Sequence, residues 1–248
     1  MELIKNFVRL NRRYSKSLEE KFPKFFEFEI PNYRDELLGR IVYGIESGKA
    51  NRVLEIGGID RPLLGKGRGF TYDGLDIENR KSCYDIYDKF IVQPVEKMLL
   101  DDKYDSIISI TLLEHVPDNK ASINRIYMSL NPGGETHHYV PSKWHPYAIA
   151  LRISGPVLQK KLIPVLRPGT ESVSGYQAYF DHCTISSMKK LLIEQGFTDI
   201  TIKVFFRAND YFAFLTPMFI LVTLFENLCM KLNLDLFASG FVFTAAKK

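Results

Sequence analysis

The stretch that decides the fold is VLEIGG at residues 53–58. Its apolar residues form a short run that ends directly in two glycines, a pattern typical of a buried strand followed by a tight loop. Small residues in such a loop let a ligand approach the backbone closely, and open α/β sheets bind ligands where their strands end. We therefore expect a ligand site directly after residue 56.

Outward from this stretch, short apolar runs alternate with helical segments. Strands are predicted at 52–57, 71–77, 90–93, 104–110, 135–140, 198–207 and 240–246, and helices at 33–47, 119–130 and 184–195. Strands separated by helices indicate a parallel sheet with crossover helices. The predicted fold class is therefore α/β, with a mostly parallel seven-stranded sheet and helices on both faces.

The chain is predicted to have an N-terminal helical extension over residues 1–50 and a main domain over 51–248. Within the main domain, residues 141–183 are predicted to form the lid that selects the acceptor. Several prolines up to residue 170 predict that the first part of this region is irregular. Residues 209–236 are predicted to form an apolar helical insertion before the last strand.

Charge and cysteine content narrow the function classes. The net charge is +4, and residues 1–24 alone hold seven bases and three acids, so the rest of the chain is formally neutral. A broad basic field is therefore missing, which argues against a nucleic-acid partner. The three cysteines are scattered and form no CxxC pair, which indicates a reducing compartment and predicts no metal site. Without a secretory signal pattern, a cytoplasmic location is expected.

Two segments are candidates for contact with a membrane or a second copy. Residues 1–24 form a basic amphipathic helix, for which packing on the domain edge is favoured over a membrane surface. Residues 211–229 are strongly apolar, but Pro217 lies in their middle and Glu226 follows early, so a spanning helix is not expected. A helical hairpin buried in a homodimer, or lying peripherally on the inner membrane face, is the prediction there.

Four stretches in a fixed order carry a family resemblance. They are VLEIGG at 53–58, GLDIE at 74–78, KYDSIISITLLEHVPDN at 103–119 and SLNPGG at 129–134. Together they resemble the class I S-adenosylmethionine-dependent methyltransferases, particularly the branch with a type 11 methyltransferase domain. The resemblance implies a Rossmann-like sheet, S-adenosylmethionine as cofactor, and methyl transfer by in-line displacement to a small-molecule, glycan or lipid-linked acceptor.

The resemblance also implies which residues hold the cofactor. The methionine part would be lined by Glu55, Gly57 and Gly58, and the ribose hydroxyls would be held by Asp76. The adenine would be contacted by Ile77 and by Gln93 or Pro94. Beneath the sulfonium and at the mouth of the substrate site would lie Thr111, Leu112 and His115. A carboxylate suits a ribose because it accepts hydrogen bonds from both hydroxyls. The chain departs from the family's E-x-G-x-G pattern, since Ile59 stands where the second glycine is usual.

A general base is useful if the acceptor is a hydroxyl. The candidates are His115, His137, His138, His145, Asp181 and His182, of which His115 and His138 are predicted to be catalytic. His137 and His138 are consecutive on a strand, so only one of them can face a pocket. Residues 176–182 mix aromatic and polar side chains, and they are predicted either to shape an acceptor pocket or to pack while Asp181 or Thr184 caps a helix.

Two other function classes are weighed against methyl transfer. A nicotinamide-dependent oxidoreductase needs a G-x-G-x-x-G turn, but Ile59, Asp60 and Arg61 follow the two glycines here. A non-catalytic, membrane-associated binding domain of the same fold is the second alternative. The sequence does not decide which acceptor receives the methyl group.

Overall fold

The computed structural model describes residues 2–26, 32–66, 69–170 and 175–248. The strands are β1 Arg52–Ile56, β2 Thr71–Asp76, β3 Lys89–Val92, β4 Tyr104–Ile110, β5 Leu130–Pro141, β6 Thr198–Phe205 and β7 Gly240–Ala246. The helices are α1 Glu2–Lys21, α2 Pro23–Phe26, α3 Tyr33–Glu46, α4 Cys83–Ile86, α5 Asn119–Ser129, α6 Pro146–Leu166, α7 Ile185–Glu194 and α8 Thr216–Lys231.

The seven strands form one sheet in the order β3-β2-β1-β4-β5-β7-β6. β1 runs parallel to both β2 and β4, and β2–β3 and β4–β5 are parallel pairs as well. The predicted fold class is therefore confirmed. The strand order reverses between β1 and β4, which places the carboxyl end of β1 at the topological switch point.

β1 lies in the interior of the sheet, so its apolar residues occupy consecutive positions as well as alternate ones, and its one acid, Glu55, is buried too. Val53, Leu54 and Ile56 are at most 1% exposed. A strand covered on both faces cannot alternate polar and apolar residues in the way that a half-exposed strand does. This burial fixes the position of the loop that follows.

The chain forms two compact units whose segments do not coincide with the linear division predicted above. The sheet unit comprises residues 31–141, 180–203 and 241–248. The helical unit comprises residues 1–30, 142–179 and 204–240, and α1, α6 and α8 are its main helices. Each unit is therefore built from three segments that are distant from one another in the sequence.

Two predictions about the proline-containing segments are wrong. Residues 146–166 are helical rather than irregular: Pro146 occupies the first turn of α6, and the helix is interrupted only at Gly155, which has φ 66° and precedes Pro156. Residues 216–231 form one helix rather than a hairpin, because Pro217 stands in the first turn of α8. A proline in a first turn removes an N–H that has no helical partner anyway, so it begins a helix instead of breaking one.

The remaining differences are small. β5 begins at Leu130 rather than at residue 135. Its pairing with β4 shifts register at the Asn-Pro-Gly-Gly sequence, which lies between Leu130 and Glu135. No helix within the described ranges is long and apolar enough to cross a membrane.

Candidate functional site

The loop after β1 is shaped by two glycines with different roles. Gly57 has φ 81°, and its N–H donates to the Leu75 carbonyl on β2 over 2.8 Å. A Cβ on Gly57 would lie 2.9 Å from Leu112 Cδ1, so this glycine is needed both for its left-handed backbone and for close packing. A Cβ on Gly58 would overlap the Tyr87 hydroxyl and lie 2.5 Å from Glu55 Cδ.

The Glu55 carboxylate lies beneath this loop and is fully buried. Oε2 accepts hydrogen bonds from the Tyr72 hydroxyl, from the Tyr87 hydroxyl at 3.3 Å and from the Leu63 N–H at 3.1 Å. Burial raises the pKa of Glu55 to about 7, and its hydrogen bonds to Tyr72, Leu63 and Tyr87 act in the opposite direction. Glu55 therefore connects β1, the loop and β2 from below.

Ile59 occupies the place of the expected second glycine. Its φ is 47°, in the left-handed region that a β-branched residue rarely adopts. The backbone thus keeps a conformation suited to glycine although the sequence supplies isoleucine. Such strain persists only where the surrounding structure imposes it.

Asp76 ends β2 next to this loop and is 7% exposed. Its Oδ1 accepts a hydrogen bond from the Glu78 N–H at 2.8 Å, and burial raises the pKa of the carboxyl. A carboxylate has about four lone-pair sites, so acceptor capacity remains for a ligand. The neighbouring Ile77 is 65% exposed and available as an apolar surface.

Arg80 links the loops after β1 and β2. Its Nη1 contacts both Asp60 oxygens at 3.1 Å, and its Nη2 contacts Glu78 Oε2 at 2.7 Å. The two loops that flank Asp76 are therefore tied together on the sheet unit by one guanidinium.

Gln93 directly follows β3, beside Asp76. Its N–H donates to the Asp76 carbonyl at 3.0 Å, and its Oε1 accepts from the Leu99 N–H at 3.1 Å. The amide oxygen considered for an adenine contact is thus engaged by the chain itself, although a carbonyl oxygen can accept a second hydrogen bond.

The loop after β4 begins with a strained residue and contains a buried carboxyl. Thr111 is exposed and has φ 52°, and Leu112 reaches toward Gly57. Glu114 is 5% exposed, and its Oε2 has no hydrogen-bond partner among the described residues. Burial raises its pKa to about 7, while the charge of His115 lowers it. His115 Nε2 lies 3.7 Å from Glu114 Oε1 and its side chain is 32% exposed.

Residues 180–184 support the post-β4 loop. The Phe180 N–H donates to the Glu114 carbonyl at 3.0 Å, and Asn119 Nδ2 donates to the Asp181 carbonyl at 2.6 Å. Asp181 Oδ2 accepts from the Asn119 N–H, whereas Thr184 caps α7 by accepting from the Ser187 N–H at 3.3 Å. Thr184, and not Asp181, is therefore the N-cap of α7.

The two consecutive histidines of β5 are both buried. His138 is 0% exposed, its Nδ1 is 2.6 Å from Ser109 Oγ, and its Nε2 bonds the Thr136 hydroxyl. His137 Nδ1 bonds the Thr244 hydroxyl at 3.0 Å. Burial lowers the pKa of His138 to about 3 and that of His137 to about 4. Because both ring nitrogens of His138 are engaged by hydroxyls, its placement favours a structural role over a catalytic one.

The structure thus gathers most of the predicted residues at one edge of the sheet unit. Glu55, Gly57, Gly58, Asp76, Ile77, Gln93, Thr111, Leu112 and His115 all lie at or just beyond the ends of β1 to β4. His145 instead caps α6 in the helical unit, and His182 pairs with Asp181 at 2.9 Å.

Sequence reasoning missed four supporting residues: Tyr72, Tyr87, Arg80 and Glu114. Only Glu114 left a signal, as a lone acid inside the apolar run after β4. Within the described ranges, no group of three or more His, Cys, Asp or Glu side chains is placed to hold a metal ion.

A family model described as a methyltransferase domain matches residues 11–202. No curated protein matches the sequence.

Solved structures with this fold include three methyltransferases. A SAM-dependent methyltransferase from Archaeoglobus fulgidus is 18% identical in sequence and has a TM-score of 0.53. The match covers 94% of this chain and 100% of that chain. A possible histamine N-methyltransferase from Thermotoga maritima is 15% identical with a TM-score of 0.52, over 100% of both chains. Phosphoethanolamine N-methyltransferase 2 from Haemonchus contortus is 13% identical with a TM-score of 0.52, and 95% of this chain covers 57% of that one. At these identities the likeness concerns the fold alone.

Proposed function

Because the chain belongs to the class I S-adenosylmethionine-dependent methyltransferases, we propose that it methylates a small-molecule, glycan or lipid-linked acceptor at the edge where β1, β2 and β4 end. The protein is a methyltransferase that uses S-adenosylmethionine. Charge supports these acceptors over nucleic acid, since the three sequence segments of the sheet unit carry 19 Lys and Arg against 20 Asp and Glu.

The observation that carries the site assignment is the position of Asp76. The hydrogen bond between the Gly57 N–H and the Leu75 carbonyl holds the glycine loop directly beside this carboxylate. In this proposal Asp76 accepts hydrogen bonds from the ribose hydroxyls, Gly57 and Leu112 contact the methionine part, and Ile77 contacts the adenine. Gln93 completes the adenine side.

Glu55 and Gly58 have supporting roles in this proposal. Because the Glu55 carboxylate accepts hydrogen bonds from Tyr72, Tyr87 and the Leu63 N–H, it holds the loop in place rather than contacting the cofactor. Gly58 is small because Glu55 and Tyr87 occupy the space where its side chain would be.

The sulfonium of S-adenosylmethionine supplies an already activated methyl group. The protein's main task is then to hold the acceptor in line with that group, which provides about 7–11 kcal/mol through proximity and orientation. His115 is partly exposed at the end of β4 and would take the proton of a hydroxyl or ammonium acceptor. Glu114, at 3.7 Å from His115 Nε2, would stabilise the imidazolium that forms.

Calorimetric titration with S-adenosylhomocysteine tests the cofactor site. We expect Asp76→Ala to weaken binding by about 10- to 100-fold, since hydrogen bonds to a charged group contribute about 1.5–3 kcal/mol. Asp101→Ala, an exposed acid in the loop before β4, is the matched control and should bind as the wild type does. Unchanged affinity in Asp76→Ala would remove the ribose assignment.

The acceptor class is tested with methyl-labelled S-adenosylmethionine. Label should appear in the small-molecule, glycan or lipid fraction of a cell extract, and His115→Ala should lower the rate without weakening S-adenosylhomocysteine binding. Label that enters only nucleic acid would contradict the proposed acceptor class.

A further inference from the structure

Exposed apolar side chains are concentrated in the helical unit. Of the 30 large hydrophobic side chains that are exposed among the described residues, 22 lie in its segments and eight in those of the sheet unit. Scattered exposed hydrophobic residues are ordinary, but such a concentration in the smaller unit marks an interaction surface.

These side chains follow the helices as stripes. On α1, Leu3, Phe7, Leu10 and Tyr14 are spaced by four, three and four residues and are 86%, 53%, 67% and 60% exposed. The spacing places them on one face of the helix, and Val8 and Ser15 form its buried face. α6 exposes Ile153 and Val157 at 82% and 73%, and α8 exposes Leu221, Leu224 and Leu228 at 59%, 47% and 53%.

Net positive charge is also concentrated in the helical unit. The helical unit's segments hold 14 Lys and Arg against nine Asp and Glu, a net charge of +5, whereas the sheet unit's segments carry −1. On α1 the bases Lys5, Arg9, Arg13 and Lys16 are exposed and lie away from the apolar stripe. Lys5, Arg9 and Arg12 also line an open cleft of about 500 Å³ with Pro164, Val165 and Pro168.

We propose that the helical unit binds the surface of an anionic lipid bilayer, with the apolar stripe of α1 inserted at the headgroup boundary and its basic residues at the level of the lipid phosphates. A helix with an apolar face opposite a Lys- and Arg-rich face lies in the plane of the membrane interface. The anionic surface is the occupant that the charge favours, because each Lys or Arg near it contributes to binding. This inference is independent of the acceptor that is methylated.

Vesicle flotation of the full chain tests the proposal. Wild-type protein should float with vesicles of phosphatidylcholine mixed with phosphatidylglycerol, and less with phosphatidylcholine alone. The double variant Phe7→Glu/Leu10→Glu should lower the partition coefficient by about tenfold or more, because two apolar side chains leave the interface and two negative charges enter it. Lys5→Glu/Arg9→Glu should weaken binding to the anionic vesicles only, and added salt should do the same.

The matched control is Tyr43→Glu/Ile193→Glu, which replaces two side chains of the sheet unit that are 68% and 58% exposed. This variant makes the same change of charge and should float as the wild type does. Titration with S-adenosylhomocysteine checks that all three double variants keep a folded sheet unit, so a failure here is distinguishable from a failure of the proposed function.

Three results would overturn the proposal. Wild-type protein could fail to float with either vesicle, or the control could lose as much binding as Phe7→Glu/Leu10→Glu. Alternatively, light scattering could show a homodimer that dissociates in Phe7→Glu/Leu10→Glu, which would assign the stripe to a second copy of the chain.

Discussion

Gly58→Ala is the substitution whose cost the structure defines most sharply. The added Cβ would overlap the Tyr87 hydroxyl and lie 2.5 Å from Glu55 Cδ and 2.7 Å from Glu55 Oε1. Tyr87 is 1% exposed and Glu55 is fully buried, so neither side chain can swing into solvent. Relief would require the loop to move or Tyr87 to leave the carboxylate.

The magnitude follows from these two consequences. Overpacking a well-filled site costs about 1–3 kcal/mol, and a buried carboxylate that loses a hydrogen bond costs about 1–3 kcal/mol more. We therefore expect Gly58→Ala to lower the free energy of unfolding by about 2–6 kcal/mol and to weaken S-adenosylhomocysteine binding.

Gly39→Ala is the matched control. Gly39 lies inside α3, and a Cβ there meets no atom within 4 Å. Alanine should stabilise this helix by about 0.5–1 kcal/mol. Urea unfolding followed by circular dichroism measures both variants, and the reasoning is refuted if Gly58→Ala is as stable as the wild type.

Two further substitutions probe the same edge of the sheet. Ile59→Gly removes a Cβ from a residue at φ 47°, which relieves about 1–2 kcal/mol of strain against about 0.5–1 kcal/mol of added unfolded-state entropy. Its urea midpoint should therefore be equal to or above that of the wild type, and a clear decrease would show that the isoleucine side chain is needed for packing. Burial raises the pKa of Glu114 from 4.5 to about 7. Between these pH values the native state binds more protons than the unfolded state, so the contribution of Glu114 to stability falls as pH rises. Glu114→Gln should reduce that fall by about 3 kcal/mol, and an unchanged pH dependence of the urea midpoint would contradict the assignment.

The sequence alone predicted the strands, their mostly parallel arrangement and the sheet edge at which the candidate site residues lie. These features depend on local patterns that span only a few residues. An apolar run indicates a strand, a pair of glycines indicates a tight loop, and an acid at a strand end indicates a ligand contact. Gly57 and Asp76 could be named for this reason before any contact was known.

Features that depend on contacts between distant residues were decided only by the tertiary structure. Glu55 became a support for the loop because Tyr72 and Tyr87, 17 and 32 residues further along the chain, direct their hydroxyls onto its carboxylate. His138 is fully buried, and its ring nitrogens are satisfied by its neighbour Thr136 and by Ser109, which is 29 residues earlier in the chain.

The helical unit is the clearest example of the same limit. Amphipathic spacing predicted α1, but spacing cannot say which of its apolar residues will be covered. Only packing among segments that are more than a hundred residues apart leaves Val8 buried and Leu3, Phe7 and Leu10 exposed. A residue's neighbours along the chain determine whether it can join a helix or strand, whereas its burial and chemical role depend on which distant residues the fold brings against it.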